Sequence, residues 1–98
     1  MVFDYSLHSG AKEDLDEAIK YYSDINQSLT QDLLIEFYQT IDVIVKNPNL
    51  FPITTRKFRK ASLTRFPYKI FYTVQAGEII VLAFAHHKRK PGYWKKRK

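Results

Sequence analysis

The chain has 98 residues and no cysteine, which allows one domain with a modest core and removes disulfides, thiolate metal sites and cysteine nucleophiles together. Its 45% hydrophobic and 15% aromatic residues, against four prolines and three glycines, are those of a folded globule and exclude an extended disordered chain. The net charge of +6 is unevenly placed: residues 1–50 hold three cations and nine acids, residues 51–98 thirteen cations and one acid. The second half therefore suits a polyanionic partner.

Asp4 and His8 interrupt the stretch where a secretory signal would need apolar residues. The longest strictly apolar run, Ile79 to Ala85, is seven residues, well short of the roughly 20 that span a bilayer as a helix. A soluble, cytoplasmic protein with no membrane partner is expected, and the absence of cysteine agrees with a reducing compartment.

In chain order, Val2-Phe3-Asp4-Tyr5-Ser6-Leu7 alternates with period two and predicts a first strand with one apolar face. After Ser9-Gly10 the period changes. Ala11, Leu15, Ala18, Ile19 and Tyr22 fall at helical spacing, predicting a helix over 10–24 with Glu13 and Asp14 in its first turn. Asp24 to Gln27 breaks it, and Ser28-Leu29-Thr30-Gln31 has the form of a capping box. Leu33, Leu34, Phe37, Ile41, Ile44 and Val45 make the apolar stripe of a second helix, ended by Asn47-Pro48. Two such helices on a short linker are expected to pack as an antiparallel hairpin.

The second half reads as sheet. Residues 57–66 form a basic, alternating strand; residues 68–74 are β-branched and aromatic; residues 75–77 are a turn; and residues 78–85 are a continuous apolar strand expected to be central. The predicted fold is α+β, in the order β-α-α-β-β-β. The helical hairpin packs on one face of a mainly antiparallel sheet, and the other face is left free. One domain spans 1–98, with 88–98 a basic C-terminal tail.

Arg65, Arg89, Tyr93 and a strand-end histidine, His86 before His87, are the candidates for chemistry. His86 and His87 end the last strand on opposite faces, and Arg65 ends the first of the three C-terminal strands. Hairpin pairing would bring Arg65, a histidine, Arg89 and Tyr93 to the open face. Cleavage of RNA through its own 2′-hydroxyl needs a base, an acid and cations for the phosphorane. Histidine supplies proton transfer near neutrality and arginine a bidentate phosphate grip. Lys57, Arg59, Lys60, Lys88 and Lys90 are candidate nucleic-acid contacts, with Trp94 or Tyr93 stacking on a base. Simpler roles stand beside these: a structural His86, Arg65 paired to an acid on the first helix, Trp94 folded back as an apolar anchor, and Lys95 to Lys98 a mobile tail. His86 and His87 diverge too far to share a metal, and no Gly-rich phosphate loop or nucleophile elbow is present, so neither metal nor cofactor is expected. Asp14, Glu17 and Asp42 read as a solvated helix face.

Arg65-Phe66-Pro67-Tyr68, Ile70-Phe71-Tyr72, and then an apolar strand running into His86-x-x-Arg89-x-Pro91-x-Tyr93-Trp94 resemble the RelE/ParE toxin superfamily of type II toxin–antitoxin systems, in particular the branch labelled plasmid stabilisation proteins. The resemblance covers nearly the whole chain. It implies a small basic toxin neutralised by a cognate antitoxin, with no small-molecule cofactor. Members similar to RelE cut mRNA, usually on the ribosome. Members similar to ParE poison DNA gyrase and cut nothing. The expected function is growth arrest by mRNA cleavage, with a non-enzymatic gyrase inhibitor or a nontoxic antitoxin- or nucleic-acid-binding relative as the alternatives. By position, Arg65 and Arg89 match the family's arginines and Tyr93 lies where ribonuclease members can have a C-terminal tyrosine, while the resemblance leaves the central basic pair of that branch to be supplied from among Lys57, Arg59 and Lys60 without a residue-by-residue match.

Overall fold

The computed structural model describes residues 3–55, 57–88 and 92–97. Its elements are β1 (Asp4–Leu7), α1 (Ser9–Ile25), α2 (Gln27–Lys46), β2 (Ile53–Thr55), β3 (Phe58–Ser62), β4 (Tyr68–Gln75) and β5 (Glu78–His86). The five strands form one sheet in the order β1-β5-β4-β3-β2, in which only β1 and β5 run parallel. The α+β arrangement of two helices on a mostly antiparallel sheet is the one expected. A fourth C-terminal strand, β2, is additional: at three residues with two of them exposed, it is too short to show a period.

The helical boundaries differ from the expected ones for local reasons. Ser9 belongs to α1 rather than preceding it, because the His8 side chain caps the helix, Nδ1 accepting from the Gly10 amide at 3.0 Å. The interruption between the helices is one residue. Asn26 closes α1 by donating its amide to the Tyr22 carbonyl at 2.8 Å, and its Oδ1 opens α2 by accepting from the Ser28 amide at 2.9 Å. Ser28 therefore does not cap; its own hydroxyl donates to the Asn26 oxygen at 2.8 Å.

Alternation along the strands then builds two faces. Tyr68, Ile70 and Tyr72 of β4 and Ile79 and Val81 of β5 turn toward the helices and join Leu15, Ala18, Leu33, Phe37, Ile41 and Ile44 in the main core. The Tyr72 hydroxyl, inside this core, donates to the Pro48 carbonyl at 2.6 Å and so ties down the loop after α2. The β4–β5 hairpin turns on Ala76 and Gly77, both at positive φ (50° and 77°), the geometry of a tight two-residue turn. Further along, the pairing shifts from Tyr72↔Val81 to Phe71↔Ala83, so Leu82 is an extra residue in β5. This bulge puts Leu82 and Ala83 together in a second cluster, while Phe84 returns to the helix side.

The second face is not free. Trp94 is 2% exposed and lies against Leu82 and Ala83, stacked on Phe71 (centroids 4.4 Å, 26°) and edge-on to Phe58 at 5.0 Å. Residues 92–97 thus fold back over the middle of the sheet instead of trailing away, because Phe58, Phe71, Ile80 and Leu82 would otherwise leave an apolar patch in water.

Candidate functional site

Each sequence-predicted residue within the described part of the chain has a definite place. Arg65 sits in the β3–β4 loop on the helix side, where its guanidinium pairs with Asp32 of α2 at 3.3 Å. The same loop is clamped by Glu36 of α2, whose carboxylate accepts from the Thr64 amide (2.6 Å), the Thr64 hydroxyl (2.7 Å) and the Arg65 amide (3.1 Å). Partial burial pushes the Glu36 carboxyl up. The Thr64 and Arg65 hydrogen bonds and the Arg65 charge together outweigh that and hold it below the ordinary carboxylate value. The partner of Arg65 is therefore an acid of the second helix, not the first.

His86 ends β5 opposite Tyr68, half-buried, with its ring edge-on to the Tyr68 ring at 5.1 Å and its Nδ1 accepting from the Lys88 amide at 3.0 Å. His87 is exposed, and its amide donates to the Pro67 carbonyl at 2.8 Å. Arg65 and the two histidines thus lie at the same end of the sheet. Lys57 and Lys88 are exposed. Arg59 has a structural role, because its guanidinium donates to the Phe51 carbonyl at 2.6 Å and so braces the loop before β2. Lys60 is half-buried. Arg89 and Lys90 lie outside the described residues, as does Val2 of the expected first strand.

The C-terminal segment departs furthest from its expected role. Trp94 has both its packing partners inside the protein and offers no free face to a base. Tyr93 donates its hydroxyl to Asp14 Oδ2 at 3.1 Å. Arg97, assigned by sequence to a mobile tail, donates to the same oxygen at 2.8 Å and to the Leu82 carbonyl at 2.9 Å. The Phe84 amide completes the set at 3.1 Å from Asp14 Oδ2. Asp14 is accordingly buried, 7% exposed, and is not part of a solvated helix face. The hydrogen bond it donates to Asp14 is the main reason the Arg97 guanidinium is held above its ordinary value.

This hub answers a backbone problem. β1 pairs with β5 only from Glu78 to Val81, and His8 takes the Val81 carbonyl. Beyond that point the β5 edge has no strand beside it. Arg97 then satisfies the Leu82 carbonyl and Asp14 the Phe84 amide, replacing the missing ladder. Gly10 makes room: a Cβ there would collide with the Arg97 side chain. The spacing of Gly10 and Asp14, one helical turn apart, is the sequence signal that was available, but it names no partner.

Two hollows flank this end of the sheet. One, about 220 Å³, opens on the outer face between Thr54 and Thr55 of β2, Lys69 and Phe71 of β4, the two histidines and residues 92–95. The other lies between α1 and the sheet. Among the described residues no group of His, Asp and Glu is placed to hold a metal ion.

The fold and this end of the sheet define a class: a small protein in which a helical hairpin supports a short-edged sheet and a basic C-terminal segment is folded onto that sheet. Residues 5–91 match the family described as the ParE toxin of type II toxin-antitoxin system, parDE. The chain belongs to that family and so is the toxin-type component of a type II toxin–antitoxin pair, which implies a cognate antitoxin. A solved structure described as the chromosomal ParDE TA system from P. aeruginosa has the same fold, with a TM-score of 0.76 and 18% identity over 87% of this chain and 96% of that one. Comparison with the curated proteins gives no match. No helix among the described residues is long and apolar enough to cross a membrane.

Proposed function

We propose that this toxin arrests growth by binding a protein target, DNA gyrase, and not by cutting RNA. The observation that supports this reading is the commitment of two of the candidate catalytic side chains, Arg65 and Tyr93. Arg65 is held by Asp32, and Tyr93 is held on Asp14 beside Arg97. Metal-independent RNA cleavage needs a base, an acid and a phosphate-stabilising cation converging within hydrogen-bond reach of one another's substrate atoms. Bound to their present partners, Arg65 and Tyr93 belong to two separate supports on α2 and α1.

The outer hollow favours the second reading, an mRNA endonuclease acting on or off the ribosome. Lys69, Lys95, His86 and His87 surround an aromatic floor of Phe71 there, with Arg89 as the expected phosphate contact. One experiment separates the two. After induction without antitoxin, transcript ends and DNA integrity are mapped within minutes. Gyrase poisoning gives broken, relaxed DNA with intact early transcripts. New internal transcript ends ahead of any DNA damage would reverse the assignment.

A further inference from the structure

The outer hollow collects positive charge that nothing inside the protein answers. Tyr68, Ile70 and Tyr72 of β4 face the helices, so alternation puts Lys69 on the outer side, where it borders the hollow. It is half-buried and makes no ion pair among the described residues. Lys95 reaches the same space from the C-terminal segment. Its amide donates to the Gly92 carbonyl at 3.0 Å, and its side chain folds back over Gly92, with Nζ 3.3 Å from where a Cβ would stand. Lys95 has no ion pair among the described residues either. His86 accepts the Lys88 amide on Nδ1 and so keeps Nε2 as a donor. His87, Thr54 and Thr55 complete the polar border.

Among the described residues no acid borders this space. Glu78, the one acid after residue 50, starts β5 at the end away from His86, roughly 25 Å off at the rise of a strand. That is well beyond the Debye length of about 8 Å at physiological salt. The nearer acids are spent: Asp14 on Arg97, Asp32 on Arg65, and Glu36 on the β3–β4 loop. The matching anion therefore has to come from outside. At about 220 Å³ the hollow takes one charged side-chain head, being smaller than the roughly 300 Å³ at which small-molecule sites begin. A nucleotide would also need an aromatic face for its base. Trp94 is 2% exposed and Phe71 is stacked on it, so both rings are already engaged inside the protein. A carboxylate asks only for cations and donors.

We infer that the outer hollow seats an acidic side chain, Asp or Glu, of the cognate antitoxin, with Lys69 and Lys95 as its counter-charges. The antitoxin is the partner that family membership supplies, and a carboxylate on it complements the cationic half of this chain. The contact does not depend on which target the toxin inhibits. It gives the C-terminal segment a second role, since the turn that places Trp94 over the sheet also carries Lys95 to the partner.

Full-length toxin variants compete with labelled parent toxin for the cognate antitoxin. Lys69→Gln and Lys95→Gln each remove one charge, and each is expected to weaken antitoxin binding about two- to fivefold, the scale of one solvent-screened ion pair. Added salt narrows the gap between parent and variants. Lys20→Gln makes the same charge change on the exposed side of α1 and leaves the affinity unchanged. Lys95 is exposed, so its variant keeps the fold and carries the test alone if the near-ultraviolet signal of Trp94 shows Lys69→Gln to be disturbed. A short single-stranded oligoribonucleotide is titrated against the same variants. Unchanged antitoxin affinity in Lys95→Gln, or an equal loss in Lys20→Gln, would overturn the proposal. If antitoxin binding holds while the oligoribonucleotide is lost, the hollow is a nucleic-acid site instead.

Discussion

At the scale of single residues, Asp14 and Arg97 organise the protein more than any candidate for chemistry does. Separated by most of the chain, they meet at 2.8 Å with side chains 5% and 19% exposed. Breaking such a pair from one side leaves an uncompensated buried charge, so Arg97→Ala is expected to cost about 3–5 kcal/mol. Arg97→Lys keeps the charge but loses the second donor and should recover only part of that. Urea unfolding measures both, and an unchanged midpoint for Arg97→Ala would show that the hub carries no stability. Glu36 gives a prediction with a sign. Its folded pKa is below the ordinary 4.5, so its contribution is complete above that value and disappears as pH falls through the lower, folded one. Glu36→Gln should therefore be less stable than the parent at neutral pH, with the difference shrinking in acid. A difference that stays constant with pH would remove the linkage.

At the scale of elements, one residue serves two helices. Asn26 ends α1 and caps α2, and Asn26→Ala is expected to lose about 1 kcal/mol, the usual value of a helix N-cap. The change should appear as lowered helicity on heating together with a lower midpoint. The C-terminal segment is the more consequential element. Replacing Trp94 with alanine empties a site bounded by Phe58, Phe71 and Leu82, and a Trp→Ala cavity costs about 3–5 kcal/mol. In a domain whose whole stability is about 5–15 kcal/mol, that threatens the fold. Loss of near-ultraviolet circular dichroism and a greatly lowered midpoint would be observed. A near-neutral effect would mean that the segment is dispensable packing.

At the scale of the molecule, the two layers differ in charge as well as in structure. The helices carry eight of the ten acids, while the strands and loops after Pro52 carry thirteen of the sixteen cations. Between the layers lie Tyr68 and Tyr72, whose phenols burial pushes up to about 12. Both are protonated in the folded state where a free tyrosine would ionise. Their contribution is therefore intact below pH 10 and is lost as pH rises toward about 12. Spectrophotometric titration should show Tyr68 and Tyr72 ionising last among the seven tyrosines, near pH 12. Early ionisation of all seven would place these rings in water.

Much of this was legible in order along the chain. Period-two and helical spacing identified both helices, the long strands and the hairpin turn, because each pattern records which side of an element meets the core. The toxin family was legible too, in the run from Arg65 to Tyr72 and the residues after β5. Two features were not. The three-residue β2 is too short to carry a period, and its pairing with β3 is set by the loop that Tyr72 and Arg59 hold in place. The roles of Asp14 and Arg97 depend on a partner distant in sequence, and a lysine- and arginine-rich terminus looks the same whether it is solvated or anchored. By itself, then, the sequence determined the elements, their apolar faces and the segregation of charge, since these follow from neighbours along the chain. Only the tertiary structure decided that the outer face would be covered and that an acid on the first helix would hold the last arginine. The β5 backbone runs on past the end of β1, and its unpaired groups have to be satisfied by whatever the fold brings beside them.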